Sequence, residues 1–328
     1  MRVLVTGAGG YIGSVLVPML IEDGCSVVAL DRFFFGREKL PNESEKLKII
    51  EEDIRFFSPE ILKDVDAVID LAALSNDPAG DLDPVKTWSI NYLGRFRVAS
   101  LSKIMGVRRY IYPSSCSVYG FQEGIVDESS STNPLTTYAK ANLKGEQDIL
   151  RLADDKFVVT VFRQATVYGL SKRMRFDLAV NGMIKGFFTK SKIPILRDGK
   201  QWRPFVHVKD TSKAMILALK APKERINKEI FNIGSDEQNY QIYELAKKIA
   251  DAIGIDFKYE WYGLPDHRSY RVSFRKVKEV LGFSPDYNAE KGAKEIWSAL
   301  KSKKVNPDDP KTITVNWYKS LLEKSVFV

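Results

Sequence analysis

The chain has 328 residues, of which 44% are hydrophobic and 28% are charged, and its formal net charge is +8 at pH 7. These proportions are those of an ordinary globular protein with one large domain or two moderate ones, and they exclude a disordered chain. No apolar run approaches the roughly 20 residues that span a bilayer. Met1 leads straight into a predicted strand, so we expect no signal peptide, no membrane partner and a cytoplasmic location.

Lysine and arginine are spread along the whole chain, without a compact basic block interleaved with aromatic residues. We therefore expect no nucleic-acid partner. The excess positive charge indicates either a field that attracts anionic substrates or simply a lysine-rich surface. The two cysteines, Cys25 and Cys116, lie on separate predicted elements without metal-type spacing, which predicts free thiols and no metal site.

The first 31 residues predict a strand, a glycine-rich turn, a helix and a second strand that ends in Asp31. A diphosphate needs bare backbone N–H groups at a helix N-terminus, and Gly7, Gly10 and Gly13 permit its close approach. Asp31 can accept hydrogen bonds from both hydroxyls of an adenosine ribose and would repel a 2′-phosphate. The segment therefore predicts a dinucleotide site that favours NAD over NADP.

Two basic residues, Arg32 and Arg37, follow Asp31 closely. An arginine in this region can accommodate a 2′-phosphate, so both residues weaken the preference for NAD. Asp31, at the end of the second strand, indicates NAD more strongly than the two arginines indicate NADP.

Further strands are predicted at residues 47–50, 67–71, 110–112 and 157–162, with helices at 84–105 and from near Tyr138. This alternation predicts an α/β fold, a Rossmann-type doubly wound parallel sheet. The pattern is less regular beyond residue 170, where we predict strands at 194–196, 204–208 and 230–233 and helices at 209–220 and 242–253. We expect an NAD-binding domain over 1–170, with parts of 200–235 returning to it, and a smaller, mainly substrate-binding domain over 171–328.

A serine-rich segment, residues 114–120, stands at the end of the fifth predicted strand, and Tyr138 opens a helix downstream. A strand-end serine and a helix-borne tyrosine beside a nicotinamide site suggest hydride transfer coupled to proton transfer at a hydroxyl. In this interpretation Tyr138 is the acid/base and the serine is its hydrogen-bonding partner.

Taken together, these motifs resemble the extended short-chain dehydrogenase/reductases of the NAD-dependent epimerase/dehydratase family, which includes UDP-glucose 4-epimerase. The resemblance implies NAD as cofactor, a nucleotide-diphosphate sugar as substrate, and a homodimer formed through the helices at 84–105 and 138–152. The matching positions are 6–13, Asp31, 53–54, 71–73, Asn91, 114–120, Tyr138, 163–169 and 203–210.

The resemblance also implies roles for individual residues. Ser115 and Tyr138 would flank the reacting sugar hydroxyl. The adenine would lie against Asp53 and Ile54, and Ser75 would lie near the nicotinamide ribose. The cofactor contacts implied are Gly7, Gly10, Tyr11, Ile12, Gly13, Asp31, Arg32, Asp53, Ile54, Leu71, Ala72, Ala73, Ser75 and Asn91, and the substrate contacts are Ser117, Gln164, Thr166, Asn181, Arg203 and Arg268.

One departure from the family concerns the pattern Tyr-x-x-x-Lys, because Asn142 stands four residues after Tyr138. The family's lysine binds the nicotinamide ribose and, as a nearby cation, favours tyrosinate. Asn142 keeps the hydrogen bonds but adds no charge, and Lys140 and Lys144 point away from that helix face. Three options remain: an altered but active enzyme, which we favour, a base recruited from elsewhere, or a catalytically silent relative.

A second departure concerns the reaction. In the dehydratase branch an Asp-Glu pair follows the serine or threonine, whereas this chain has Cys116 and Ser117. Dehydration is therefore disfavoured. We predict an NAD-dependent nucleotide-sugar epimerase acting through a 4-keto intermediate. The alternatives are a nucleotide-sugar 4-dehydrogenase or reductase with net redox, and a non-catalytic NAD-binding relative.

Overall fold

A seven-stranded, fully parallel sheet forms the centre of the computed structural model, which describes residues 1–264 and 268–324. Its seven strands are Arg2–Thr6 (β1), Ser26–Asp31 (β2), Leu47–Glu51 (β3), Ala67–Asp70 (β4), Arg109–Ser115 (β5), Val158–Gln164 (β7) and Glu229–Ile233 (β11). Their order in the sheet is β3-β2-β1-β4-β5-β7-β11. Helices cover both faces, so strands such as β4 and β7 are buried along their whole length.

The predicted Rossmann-type sheet is confirmed, and each of the six strands predicted before residue 170 is present. The predicted strand at 230–233 is β11, at the edge of the same sheet beside β7. The chain therefore returns to the large sheet after residue 200.

Among the described residues, seven shorter strands build three small sheets, most of them in the later half of the chain. The predicted strands at 194–196 and 204–208 lie here. Ile125–Val126 (β6) pairs with Arg271–Val272 (β14), and Ile193–Leu196 (β9) pairs with Tyr259–Tyr262 (β13). Thr166–Tyr168 (β8), Trp202–His207 (β10) and Asn239–Gln241 (β12) form the third sheet.

The helix predicted at 84–105 is one continuous helical run with a π-helical segment, Trp88–Gly94, at its centre. Such segments occur often at functional sites. The α-helices are Gly13–Glu22 (α1), Asp77–Gly80 (α2), Pro84–Thr87 (α3), Arg95–Ile104 (α4), Thr137–Leu150 (α5), Ala179–Lys190 (α6), Val208–Lys220 (α7), Lys223–Ile226 (α8), Ile242–Ile253 (α9), Arg275–Leu281 (α10), Ala289–Lys301 (α11) and Thr314–Glu323 (α12). Short 3₁₀ helices lie at Arg37–Lys39, Pro59–Leu62, Cys116–Tyr119, Asp236–Gln238 and Pro310–Thr312.

Both cysteines, Cys25 and Cys116, are buried free thiols. Within residues 1–264 and 268–324, no helix is long and apolar enough to cross a membrane. Over the same residues, His, Cys, Asp and Glu side chains form no group of three or more that could hold a metal ion.

Candidate active site

A cavity of about 820 Å³ opens at the carboxyl ends of the central strands, beneath the small sheets. The ends of five neighbouring strands supply lining residues: Gly7 after β1, Asp31 on β2, Leu71 after β4, Ser115 on β5 and Gln164 on β7. From β1 the chain continues to β2 and β3 on one side, and it then crosses back to β4 on the other side of β1. Doubly wound sheets bind their ligands at such a switch point.

Nearly all residues proposed from the sequence line this one cavity; the exceptions are Asn91 and Asn181. The lining ones are Gly7, Gly10, Tyr11, Ile12, Gly13, Asp31, Arg32, Asp53, Ile54, Leu71, Ala72, Ala73, Ser75, Ser115, Ser117, Tyr138, Asn142, Gln164, Thr166, Arg203 and Arg268.

Asn91 and Asn181 are fully buried and use their amides inside the protein. Asn91 exchanges two hydrogen bonds with the backbone of Leu74, at 2.8 and 3.0 Å. Asn181 donates to the hydroxyl of Tyr11 at 3.0 Å and accepts from the N–H of Gly169 at 3.0 Å. In the structure both residues brace the cavity wall.

Residues 7–13 form the glycine loop, which is too tightly packed at Gly7 and Gly13 to admit a side chain there. A Cβ on Gly13 would lie 2.4 Å from the carbonyl oxygen of Gly7, and one on Gly7 would lie 2.7 Å from the amide nitrogen of Ala72. Gly7 also has a positive φ of 64°. The loop therefore brings bare backbone to the N-terminus of α1, which is the cradle that a dinucleotide diphosphate requires.

Asp31 holds this loop from the end of β2. Its carboxylate accepts hydrogen bonds from the N–H groups of Gly9, at 3.0 Å, and Phe33, at 2.6 Å. Burial raises the pKa of Asp31, and these two N–H groups oppose the increase. Each carboxylate oxygen has a second acceptor site, so ribose hydroxyls can bind without displacing the backbone donors.

Arg32 is paired with Asp53, at 3.0 Å between Nη1 and Oδ2. Asp53 also accepts from Arg55 at 2.7 Å. Burial alone would raise the pKa of Asp53, but the hydrogen bonds from Arg55 and Arg32 outweigh burial and hold this pKa below its usual range. The Asp53 carboxylate therefore pairs with Arg32, one of the two arginines that weaken the predicted preference for NAD over NADP.

The N-terminus of α5 presents Tyr138 to the cavity. Thr136 caps this helix by accepting from the N–H of Ala139 at 3.2 Å, and its hydroxyl donates to Asp77 at 2.7 Å. Gly80 allows the close approach of α2, because a Cβ there would lie 2.8 Å from the Cβ of Tyr138. The side chain of Ser115 lies close enough to the Tyr138 hydroxyl to lower its pKa, and both residues line the cavity.

Opposing influences act on the ionisation of Tyr138. Burial is the largest and raises the pKa of Tyr138, and the carboxylate of Asp77 raises it further. Arg95, Ser115 and Arg175 act in the opposite direction. The balance leaves the pKa of Tyr138 above its ordinary value, so nearby cations affect how readily this residue ionises.

Asn142 contacts an arginine that was not identified from the sequence. Its Oδ1 accepts from Nη1 of Arg95 at 3.2 Å, and its Nδ2 donates to the carbonyl oxygen of Tyr138 at 3.0 Å. Arg95 and Asn142 both line the cavity. The available signal was the spacing of Arg95 four residues after Asn91, which places both on one face of the helical run.

The predicted sugar contacts differ in their available hydrogen bonds. The hydroxyl of Ser117 is buried and has no partner among the described residues, so it is available to a ligand. Gln164 accepts from Thr211 at 2.6 Å through its Oε1, which fixes the orientation of its amide. Thr166 lies on β8 at the cavity wall.

Arg203 and Arg268 lie together, because Nη1 of Arg203 donates to the carbonyl oxygen of Arg268. Nη1 of Arg268 pairs with Asp77 at 2.5 Å. The two guanidinium groups thus lie on the same wall of the cavity, and arginine suits the bidentate recognition of phosphate.

A further buried cation, Arg173, was missed. It donates to Thr314 of α12 at 2.9 Å, and its guanidinium lies 3.6 Å from the ring centre of Phe35. Its Nε and Nη1 have no hydrogen-bond partner among residues 1–264 and 268–324. Trp317 of α12 also donates to the carbonyl oxygen of Phe34 at 2.7 Å. Unsatisfied donors in a cavity that the glycine loop also lines fit the anionic part of a dinucleotide.

Proteins with similar sequences act on nucleotide sugars. A putative UDP-glucose 4-epimerase from Methanocaldococcus jannaschii is 30% identical over 309 residues, which cover 92% of this chain and 98% of the relative. The UDP-glucose 4-epimerase of Lactobacillus helveticus is 30% identical over 330 residues, with the same coverage of both chains.

Structural similarity extends over the same length. The solved structure of MoeE5 in complex with UDP-glucuronic acid and NAD matches with a TM-score of 0.83 and 29% identity, covering 92% of this chain and 100% of that one. Residues 3–234 match the model of the NAD-dependent epimerase/dehydratase family. This range includes both the glycine loop and the Tyr138 helix, and the chain therefore belongs to the NAD-dependent epimerase/dehydratase family, whose cofactor is NAD.

Proposed function

We propose that this protein is an NAD-dependent epimerase that inverts C4 of a UDP-hexose through a 4-keto intermediate. The observation that carries the proposal is that Tyr138 and Ser115 line the same cavity as the glycine loop, with the Ser115 side chain close enough to the Tyr138 hydroxyl to lower its pKa. The choice of UDP follows from the relatives, which are UDP-glucose 4-epimerases and a protein solved with a UDP-sugar.

Each group in the cavity has a defined task in this reaction. When bound, NAD supplies a reversible hydride acceptor for a sugar carbon. In its tyrosinate form, Tyr138 takes the proton of the C4 hydroxyl as that carbon is oxidised, and the phenol so formed returns the proton after the ketone has turned its other face. Ser115 orients the hydroxyl, and Arg203 and Arg268 bind the diphosphate of the substrate. The hydroxyl of Ser117 is free to bind the sugar.

The residues after Ser115 support epimerisation rather than dehydration. Cys116 is fully buried, and its Sγ lies 3.2 Å from the carbonyl oxygen of Arg163. Burial raises the pKa of this thiol well above its ordinary value. Ser117 carries a neutral hydroxyl. Neither residue supplies the acid and base that the loss of water from a sugar requires.

The test is an incubation of the purified protein with NAD and a panel of UDP-, GDP-, CDP- and dTDP-sugars, followed by proton NMR of the products. We expect a UDP-hexose to reach equilibrium with its 4-epimer without accumulation of reduced nicotinamide at 340 nm. A keto sugar with stoichiometric reduced nicotinamide would replace the proposal with a dehydrogenase. A dehydrated or decarboxylated product, or no product from any sugar, would also overturn it.

We also propose a homodimer, formed through the helical run from Pro84 to Ile104 and through α5. Four large apolar side chains on this run are exposed in the single chain: Val85 by 79%, Trp88 by 36%, Leu93 by 57% and Ile104 by 76%. Apolar surface of this kind marks a protein interface. Light scattering is expected to give twice the 37.2 kDa mass of the chain, and Leu93→Lys is expected to shift the protein towards monomer. A mass of 37.2 kDa for the unmodified protein at micromolar concentration would contradict the dimer.

A further inference from the structure

Arg95 is the first residue of α4 and points into the protein, where only 1% of it is exposed. Its Nη2 donates to the carbonyl oxygens of Asp70, at 2.7 Å, and Pro113, at 2.8 Å. Its guanidinium carbon lies 3.7 Å from the ring centre of Tyr112. These contacts bind three sides of the cation and leave Nη1 directed at Asn142.

The counter-ion of Arg95 lies on the opposite side from Asn142. Nε of Arg95 is 3.3 Å from Oδ2 of Asp70. The Asp70 carboxylate is itself compensated, because it also accepts short hydrogen bonds from the hydroxyls of Thr6 and Tyr110. The positive end of the buried pair therefore faces the cavity. A buried ion pair is costly, and apolar residues of similar volume often replace one without loss of stability. Structure alone therefore gives little reason for a cation here.

We propose that the Arg95 guanidinium, held against Asn142, takes the place of the family's lysine as the positioning cation that favours the tyrosinate form of Tyr138. The two functions of that lysine are thus divided between two side chains. Arg95 provides the charge, while Asn142 provides the hydrogen-bonding group at the cavity wall. The inference rests on the proposed acid/base role of Tyr138.

The other groups that face Tyr138 make this charge necessary. Burial and the carboxylate of Asp77 both disfavour tyrosinate. Arg175 also favours it, but the Arg175 guanidinium is held more tightly by its carboxylate, 2.7 Å from Asp177, than Arg95 is by Asp70 at 3.3 Å. Ser115 favours tyrosinate without contributing a charge. Burial alone would lower the pKa of Arg95, but Tyr112, Asp70 and Tyr110 outweigh it and raise this pKa, so Arg95 stays charged at any working pH.

The experiment measures the pKa of Tyr138 directly in the NAD-loaded protein without any sugar. The protein is labelled with ¹³Cζ-tyrosine, the Tyr138 signal is assigned by its loss in Tyr138→Phe, and its chemical shift is followed against pH. In Arg95→Gln the pKa of Tyr138 is expected to rise by about one pH unit, a tenfold loss of tyrosinate at a given pH. Arg95→Lys, which keeps the charge, is expected to titrate like the unmodified protein.

The second part of the experiment moves the positive charge from position 95 to position 142. The double variant Arg95→Gln/Asn142→Lys keeps one cation at the site and is expected to restore the pKa of Tyr138. A purely structural role predicts lower melting temperatures in these variants with no change in that pKa, and this result would overturn the proposal. If Arg95→Gln does not fold, a Tyr138 pKa raised by about one pH unit or more in either charge-keeping variant would overturn it equally.

Failure of this proposal can be distinguished from failure of the proposed function. The titration requires no substrate, so it gives the same answer whichever sugar the protein acts on. If the unmodified protein epimerises a UDP-hexose but the Tyr138 pKa is unchanged in Arg95→Gln, only the inference about Arg95 is rejected. If this pKa rises as expected but the unmodified protein converts none of the sugars, only the proposed function is rejected.

Discussion

Replacing Tyr138 by phenylalanine is expected to lower kcat for the epimerised sugar by about a thousandfold, within the range that general acid–base groups contribute. The Tyr138 oxygen, beside the Ser115 side chain, is the proposed proton acceptor. The ring itself is retained, and with it the packing of α5 against Gly80. We therefore expect NAD binding and the melting temperature to remain close to those of the unmodified protein. Product formation by proton NMR and the NAD content of the purified protein provide the measurements.

The matched control is Tyr259→Phe, which removes a hydroxyl from an exposed tyrosine of β13 that lies outside the set of residues lining the cavity. This variant is expected to keep kcat within about twofold, since surface changes away from special features have small effects. If Tyr138→Phe retained more than about a tenth of the original kcat, another group would have to accept the proton, since one lost acid/base group costs at least a hundredfold.

The second large effect is expected for Gly13→Ala, in the binding of NAD. The added Cβ would lie 2.4 Å from the carbonyl oxygen of Gly7 and 2.5 Å from that of Ala8. Backbone atoms cannot yield as a flexible side chain can, so the loop must shift and its N–H groups must lose their alignment with the diphosphate. We expect an increase of about a hundredfold in the Kd for NAD, equivalent to about 2.7 kcal/mol.

Calorimetric titration of protein stripped of NAD measures this effect. Gly124→Ala is the matched control, because a Cβ at Gly124 meets no atom within 4 Å and the residue does not have a positive φ. Its Kd is expected to equal that of the unmodified protein. An unchanged Kd in Gly13→Ala would show that the glycine loop does not cradle the cofactor.

The first half of the fold was predictable because strands buried on both faces leave apolar runs that alternate with helical periodicity. The second half carries weaker signals. β14 has two residues, and all four residues of β13 are exposed. Strands this short or this exposed show no apolar run, and their pairing partners lie far away in the chain. The helices α10 to α12, which follow in the same part of the chain, were not predicted either.

In the candidate site, the sequence predicted where the residues lie better than it predicted which groups they contact. The motifs brought their residues to one cavity, but they did not reveal how Asn91 and Asn181 use their amides. An asparagine is equally suited to a ligand or to a backbone group, and only the fold decides between them. Arg95 was missed because an arginine in a helix is typical of a solvent-facing position. Its contact with Asn142, 47 residues away, has no counterpart in local sequence.

The packing of α12 against the loop after β2 affects the order in which the protein assembles. Trp317 and Phe34, which join the two, are 283 residues apart in the chain. Contacts of such separation form late, because the loop between them must close first. The sheet and its glycine loop can therefore form while the wall that α12 adds beside Phe34 is still missing. A cofactor that contacts both the glycine loop and this wall would add its binding free energy to the last and least local step of folding.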